Sequence, residues 1–156
     1  MNSRDKRKAR IISLQVIYAY ELHGSRVEQT LEQFFLSTND SSDKSILLNE
    51  AEFISKDIIK YSKKLATLVL KYSSEIDKII IDRSKNWDFE RITLIDKLIL
   101  RMALVEMTYI DNIPPKVSIT EAVEIAKQFS TEDSSAFING ILDSFYNQVL
   151  ISKEKI

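Results

Sequence analysis

Two glycines and two prolines in 156 residues constrain this chain more than any other feature. Average usage would supply about 11 glycines and about 8 prolines. Tight hairpins and the turns of parallel βαβ units depend on those residues, so the sequence predicts an all-α fold. The same scarcity excludes a glycine-rich phosphate loop. Neither G-x-G-x-x-G nor a P-loop can be spelled with Gly24 and Gly140 alone. Hydrophobic residues at 44% supply a core of ordinary size. The length suits one domain, or two small subdomains sharing a core.

Several chemistries are short of residues. There is no cysteine, which removes disulfides, thiolate zinc sites and a thiol nucleophile. His23 is the only histidine, and it lies at a helix end, where an imidazolium suits the dipole. No strained nucleophile turn surrounds a serine. Carboxylates are plentiful, and nothing singles out one pair for acid–base work or an oxygen-ligand metal site. We therefore expect no catalytic residue, no metal and no cofactor. No apolar run approaches the length of a membrane span, and no signal peptide is read. A cytoplasmic protein with no membrane contact is expected.

Charge is unevenly placed. The net charge is −1, yet residues 1–10 carry Arg4, Lys6, Arg7, Lys8 and Arg10 against Asp5. A basic segment on an acidic body is a candidate nucleic-acid contact. A solvated end that keeps the chain soluble is the other reading.

Periodicity and capping signals predict about seven helices. The first runs from about Arg4 to Leu22, capped by Asn2 or Ser3 and stopped at Gly24. Ile11, Leu14, Tyr18 and Leu22 follow one face, and Gln15 projects between the apolar strips, needing a partner or a ligand. Ser25-x-x-Glu28 opens a second helix with Leu31, Phe34 and Phe35 inward. STNDSSDKS (37–45) reads as a loop. Asn49-x-x-Glu52 opens a third helix with a stripe from Ile54 to Tyr72, and Ser74 caps a short fourth. A long helix follows over about 89–109 and stops before the prolines. Ser118-x-x-Glu121 opens the next, and Asp133 or Ser134 caps the last, which runs through Val149.

Three segments carry a family pattern. KRKARIISLQVIYAYEL (6–22) has basic-basic-x-Ala-Arg followed by Leu-Gln-x-x-Tyr. WDFERITLIDKLILRMALVEM (87–107) has Asp-Lys-x-Ile-Leu-Arg-x-Ala-x-x-Glu. IPPKVSITEAVEIAKQFSTEDSSAFINGILD (113–143) has Pro-x-x-Val-x-Ile, Glu-Ala-Val-Glu, and Phe-Ile-Asn-Gly-Ile-Leu. Their order and spacing resemble those of the transcription antitermination factor NusB family along the whole chain. Thr120 stands where the family usually has Asn, and both can cap. Ala136 stands where a basic or small polar residue is common, which removes one phosphate contact.

The resemblance implies an all-α fold of two packed three-helix subdomains, here about 1–72 and 73–156 of a single RNA-binding domain. It implies binding without catalysis. The family pairs with NusE, a small-subunit ribosomal protein, and holds single-stranded boxA RNA on the transcription elongation complex. Termination is thereby suppressed in bacterial ribosomal RNA operons. The chain itself is expected as a monomer or homodimer.

Site residues follow by position. Lys6, Arg7 and Arg10 match the arginine-rich segment, whose role is phosphate neutralisation. Tyr18, Phe129 and Phe137 match aromatic positions near RNA, where bases can stack. Core packing is the competing role for all three. Gln15 either reads a base edge or satisfies a buried backbone group. Asp133 and Ser134 lie where outward amides attract phosphate. Asp96 matches a partner-facing acidic position, where an exposed carboxylate would steer the basic NusE. Arg101 and Glu106 are expected in an internal ion-pair network, and Asn139 and Gly140 in close helix packing.

Two other readings stay open. One is an RNA-binding module like the N-terminal domain of 16S ribosomal RNA 5-methylcytosine methyltransferases. The other is a pure protein-interaction module.

Overall fold

The computed structural model describes residues 1–24, 54–84 and 88–151. Five α-helices occur among these residues, and no strand does. They are α1 (Ser3–His23), α2 (Lys56–Arg83), α3 (Leu94–Tyr109), α4 (Pro115–Phe129) and α5 (Glu132–Phe145). The expected helix at Ser25 and the cap at Asn49 lie outside the described residues. The chain divides into two compact units, Met1–Leu70 and Lys71–Ile156, and α2 runs through the division.

In the first unit, α1 starts because the Asn2 side chain accepts from the Asp5 amide at 2.8 Å. It ends at Gly24, whose φ of 58° is the left-handed stop that favours glycine. Ala9 and Ser13 are small enough for close approach to α2. The Ser13 hydroxyl donates to the Ser62 carbonyl at 2.9 Å. The Ser62 hydroxyl donates to the Ile58 carbonyl at 2.7 Å and, more weakly, to the Ala9 carbonyl at 3.2 Å. These bonds satisfy buried hydroxyls among Ile12, Val16, Ile58 and Leu65, all buried.

The second unit is held by polar ties between helices. Arg101 on α3 grips Asp77 on α2 with two bonds of 2.7 and 2.8 Å, the planar fork that suits a carboxylate. Ser118 on α4 donates to the buried Glu106 of α3 at 2.6 Å. Arg83 closes the far end of α2, donating to Ser144 at 3.0 Å and Gln148 at 2.7 Å. Gln148 lies in the π-helical turn Tyr146–Leu150 that follows α5. Between these ties sit Leu98, Ile99, Met102, Ile125, Ile138 and Leu142. Each such side chain adds about 1.5–3 kcal/mol when fully buried.

Several helix limits differ from the sequence reading. α2 starts at Lys56, with the Ser55 hydroxyl accepting from the Ile58 amide, so Ile54 precedes it. It does not break at Ser74, because Leu65, Val69, Ile76 and Ile80 continue one buried stripe in phase. The helix expected from Phe89 is a 3₁₀ turn, Phe89–Arg91, and then α3, capped by Thr93. α4 opens at Pro115, whose fixed φ suits the first turn. Ser118 therefore lies inside α4, where it binds Glu106 instead of capping. Thr131 caps α5 in place of Asp133 or Ser134, and α5 gives way to the π turn at Tyr146. Asn139 and Gly140 are exposed, and a Cβ on Gly140 would meet nothing within 4 Å. Close helix packing is not their role.

Candidate nucleic-acid interface

In the first unit, α1 carries the basic end. Arg4 and Arg7 are exposed, and Lys6 and Lys8 are half-buried. Arg7 and Tyr18 share one side of the helix, since eleven residues make close to three turns. Tyr18 is 38% exposed, so part of its ring faces solvent. Gln15 flanks that side, and its buried Nε2 has no hydrogen-bond partner among the described residues. A donor in that state is ready for an acceptor. Arg10 departs from expectation. It is 3% exposed, within the run from Ala9 to Leu14 in which every residue of α1 is buried. A surface charge for phosphates is therefore not what Arg10 offers.

In the second unit, the start of α3 and the start of α5 form a cleft of about 630 Å³. Its lining brings together Asp96, Asp133, Ser134 and Phe137 from the expected set. Phe129 does not line it and stays half-buried at the end of α4. Arg91, Ile92, Thr93 and Ala136 complete the wall. The first three were missed because 89–93 read as helix. Arg91 is exposed in the turn that precedes α3, and among the described residues that line the cleft it is the only cation.

The cleft's polarity is mixed. Among the described residues, Asp96 and Asp133 bring two carboxylates against one guanidinium. Asp96 is 5% exposed, so it is not the exposed steering charge that was expected. Its carboxylate accepts from the Ser130 hydroxyl at 2.8 Å, and its amide donates to the Thr93 hydroxyl at 3.4 Å. At α5, the Thr131 hydroxyl accepts from the Ser134 amide at 3.0 Å. One of the outward amides expected to attract phosphate is thus already used. An apolar floor with fixed oxygen acceptors suits a nucleobase and its amino groups better than a phosphate.

The NusB family model matches residues 7–147. The chain belongs to the NusB family. It is 39% identical to the transcription antitermination protein NusB of Chloroherpeton thalassium, over 92% of this chain and 62% of that relative. It is 35% identical to the NusB protein of Myxococcus xanthus, over 88% of this chain and 91% of the relative. The chain thus spans under two thirds of the first relative's length and nearly all of the second's. Among solved structures it resembles NusB of T. maritima, with a TM-score of 0.74, 28% identity, and coverage of 95% of this chain and 94% of that one. A second similar fold is in a structure of the antitermination factors NusB and NusE with double-stranded RNA. There the TM-score is 0.74 at 23% identity, over 94% of this chain and 98% of that chain. NusB neighbours share the all-α class of this chain. Among the described residues no group of three or more metal-ligating side chains occurs, and no helix is long and apolar enough to cross a membrane.

Proposed function

We propose that this chain is a non-catalytic, RNA-binding transcription antitermination and elongation factor of the cytoplasm. With NusE it holds single-stranded boxA RNA on the elongating polymerase and promotes antitermination in ribosomal RNA operons. The observation that carries this reading is the family match over residues 7–147, shared with relatives named transcription antitermination protein. Lys6 and Arg7 on α1 supply charge for phosphates. Gln15 and Tyr18 offer a donor and a ring on the same helix. Phe137 and Ser134 in the cleft offer a ring and an acceptor for bases, and the Asp133 charge sets how closely the phosphates approach. Arg10 supports α1 from within, and Phe129 supports the end of α4. Asp96, which the resemblance places toward the partner, fixes the cleft wall from within.

The test is fluorescence anisotropy of a labelled boxA-like single-stranded RNA, titrated at several salt concentrations with and without NusE. Three to five neutralised phosphates give a log–log salt slope of roughly −2 to −3.5 for a single strand. Binding with that slope, tightened by NusE, is the expected result. No binding at low salt, even with NusE, would overturn the RNA role.

A further inference from the structure

The outer side of α2 in the first unit has a feature that the sites above do not use. Between Ile54 and Leu70 the exposed residues include Lys56, Lys60, Lys63 and Lys64, and Asp57 is the only acidic residue of the segment. At about 100° per residue, the four lysines fall within an arc of about 100°, with Asp57 outside its edge. They cover about 12 Å of the helix axis. Ile58, Tyr61, Ser62, Leu65, Ala66 and Val69 are buried on the opposite side. Ser62 is the residue that meets Ala9 and Ser13 of α1, so the lysines face away from α1.

This placement is unfavourable for the helix alone. Lys56–Lys60 and Lys60–Lys64 are like charges four residues apart, which repel on a helix surface. A face selected for solubility intersperses both signs. Here a chain with net charge −1 gathers one sign on one face. A polyanion relieves that repulsion and gains from it.

We propose that this lysine face binds the phosphate backbone of RNA, at a stretch of the strand other than the one held by the basic start of α1. The proposal rests on the RNA-binding reading above and extends its footprint. Lysine ammonium groups act as point charges without a base-reading fork. The contact is therefore independent of sequence, dependent on salt, and present only when the RNA extends beyond the boxA element.

The experiment compares the wild-type chain with the triple variant Lys56→Gln, Lys60→Gln, Lys64→Gln. All three positions are exposed, and a thermal melt checks the fold. Each protein is titrated with labelled single-stranded RNA in two forms, the boxA-like element alone and the element with unrelated flanks. On the flanked RNA the variant is expected to lose about 2 from the log–log salt slope, at about 0.7 per phosphate. On the short RNA it is expected to match the wild type. Unchanged slopes on the flanked RNA would overturn the proposal, as would an equal loss on both RNAs, which marks a general charge effect. A variant that alters only the sedimentation of the free protein would assign the face to contact between copies, also against the proposal. Wild-type protein that binds neither RNA would overturn the RNA-binding reading itself, and the lysine face with it.

Discussion

The Ser130 hydroxyl donates a 2.8 Å hydrogen bond to the carboxylate of Asp96. It ties the residue after α4 to the first turn of α3, and so fixes one wall of the cleft that holds Phe137. Asp96 is buried, so its carboxylate depends on such donors. Ser130→Ala leaves that acceptor short of one bond. The expected cost is about 1–3 kcal/mol, read as a lower urea midpoint with an unchanged m-value. An unchanged midpoint would contradict this role for Ser130.

The all-α class was legible because it follows from which residues are scarce. Helix starts were less so. Ser118 spells a capping box with Glu121, yet its hydroxyl bonds to Glu106, twelve residues away in sequence. A short pattern cannot reveal that a distant carboxylate competes for the same hydroxyl. The continuous α2 was readable in principle, since Leu65, Val69, Ile76 and Ile80 keep phase through Ser74. The basic end of α1 was visible as charge, while the inward turn of Arg10 required the helix's packing. Arg91 was missed because it acts from a 3₁₀ turn, which carries little periodic signal.

The two glycines have opposite expected responses. Gly24 holds a φ of 58°, so Gly24→Ala strains the end of α1 and costs about 1 kcal/mol. Gly140 sits inside α5 with open space around its Cα. Gly140→Ala therefore adds about 0.5–1 kcal/mol of stability. Thermal melts of both variants check the signs.

Asp133 is exposed in the first turn of α5 and lines the cleft. Its charge favours the helix dipole and opposes an approaching phosphate strand. Asp133→Asn is expected to lower stability by about 0.3–1 kcal/mol. The same change tightens RNA binding by roughly two- to fivefold, from the same charge term. Denaturation and RNA titration of one preparation read both effects, and weaker RNA binding would contradict the cleft's assignment.

Tyr109 stacks on Tyr72 with ring centroids 4.0 Å apart. Partial burial pushes its phenol above the usual tyrosine range, aided by the neighbouring Tyr72 and Glu75. The folded state thus holds this proton more tightly than the unfolded one. The resulting stability is complete below the ordinary tyrosine pKa of about 10 and is lost as pH rises through the raised value. Tyr109→Phe removes that part of the alkaline loss. Unfolding of wild type and variant across alkaline pH checks it, and parallel curves would contradict it.

The most direct test of the central claim is RNA binding by Phe137→Ala, measured on the boxA-like strand beside Phe137→Leu. Phe137 lines the cleft from α5 and is half-buried. Base stacking on a ring is worth about 1–3 kcal/mol by alanine substitution, so affinity is expected to fall roughly tenfold or more. Leucine keeps the packing and removes the aromatic face, so Phe137→Leu is expected to lose most of the same affinity while melting near the wild type. Wild-type RNA affinity in both folded variants would contradict an RNA-binding role for the cleft.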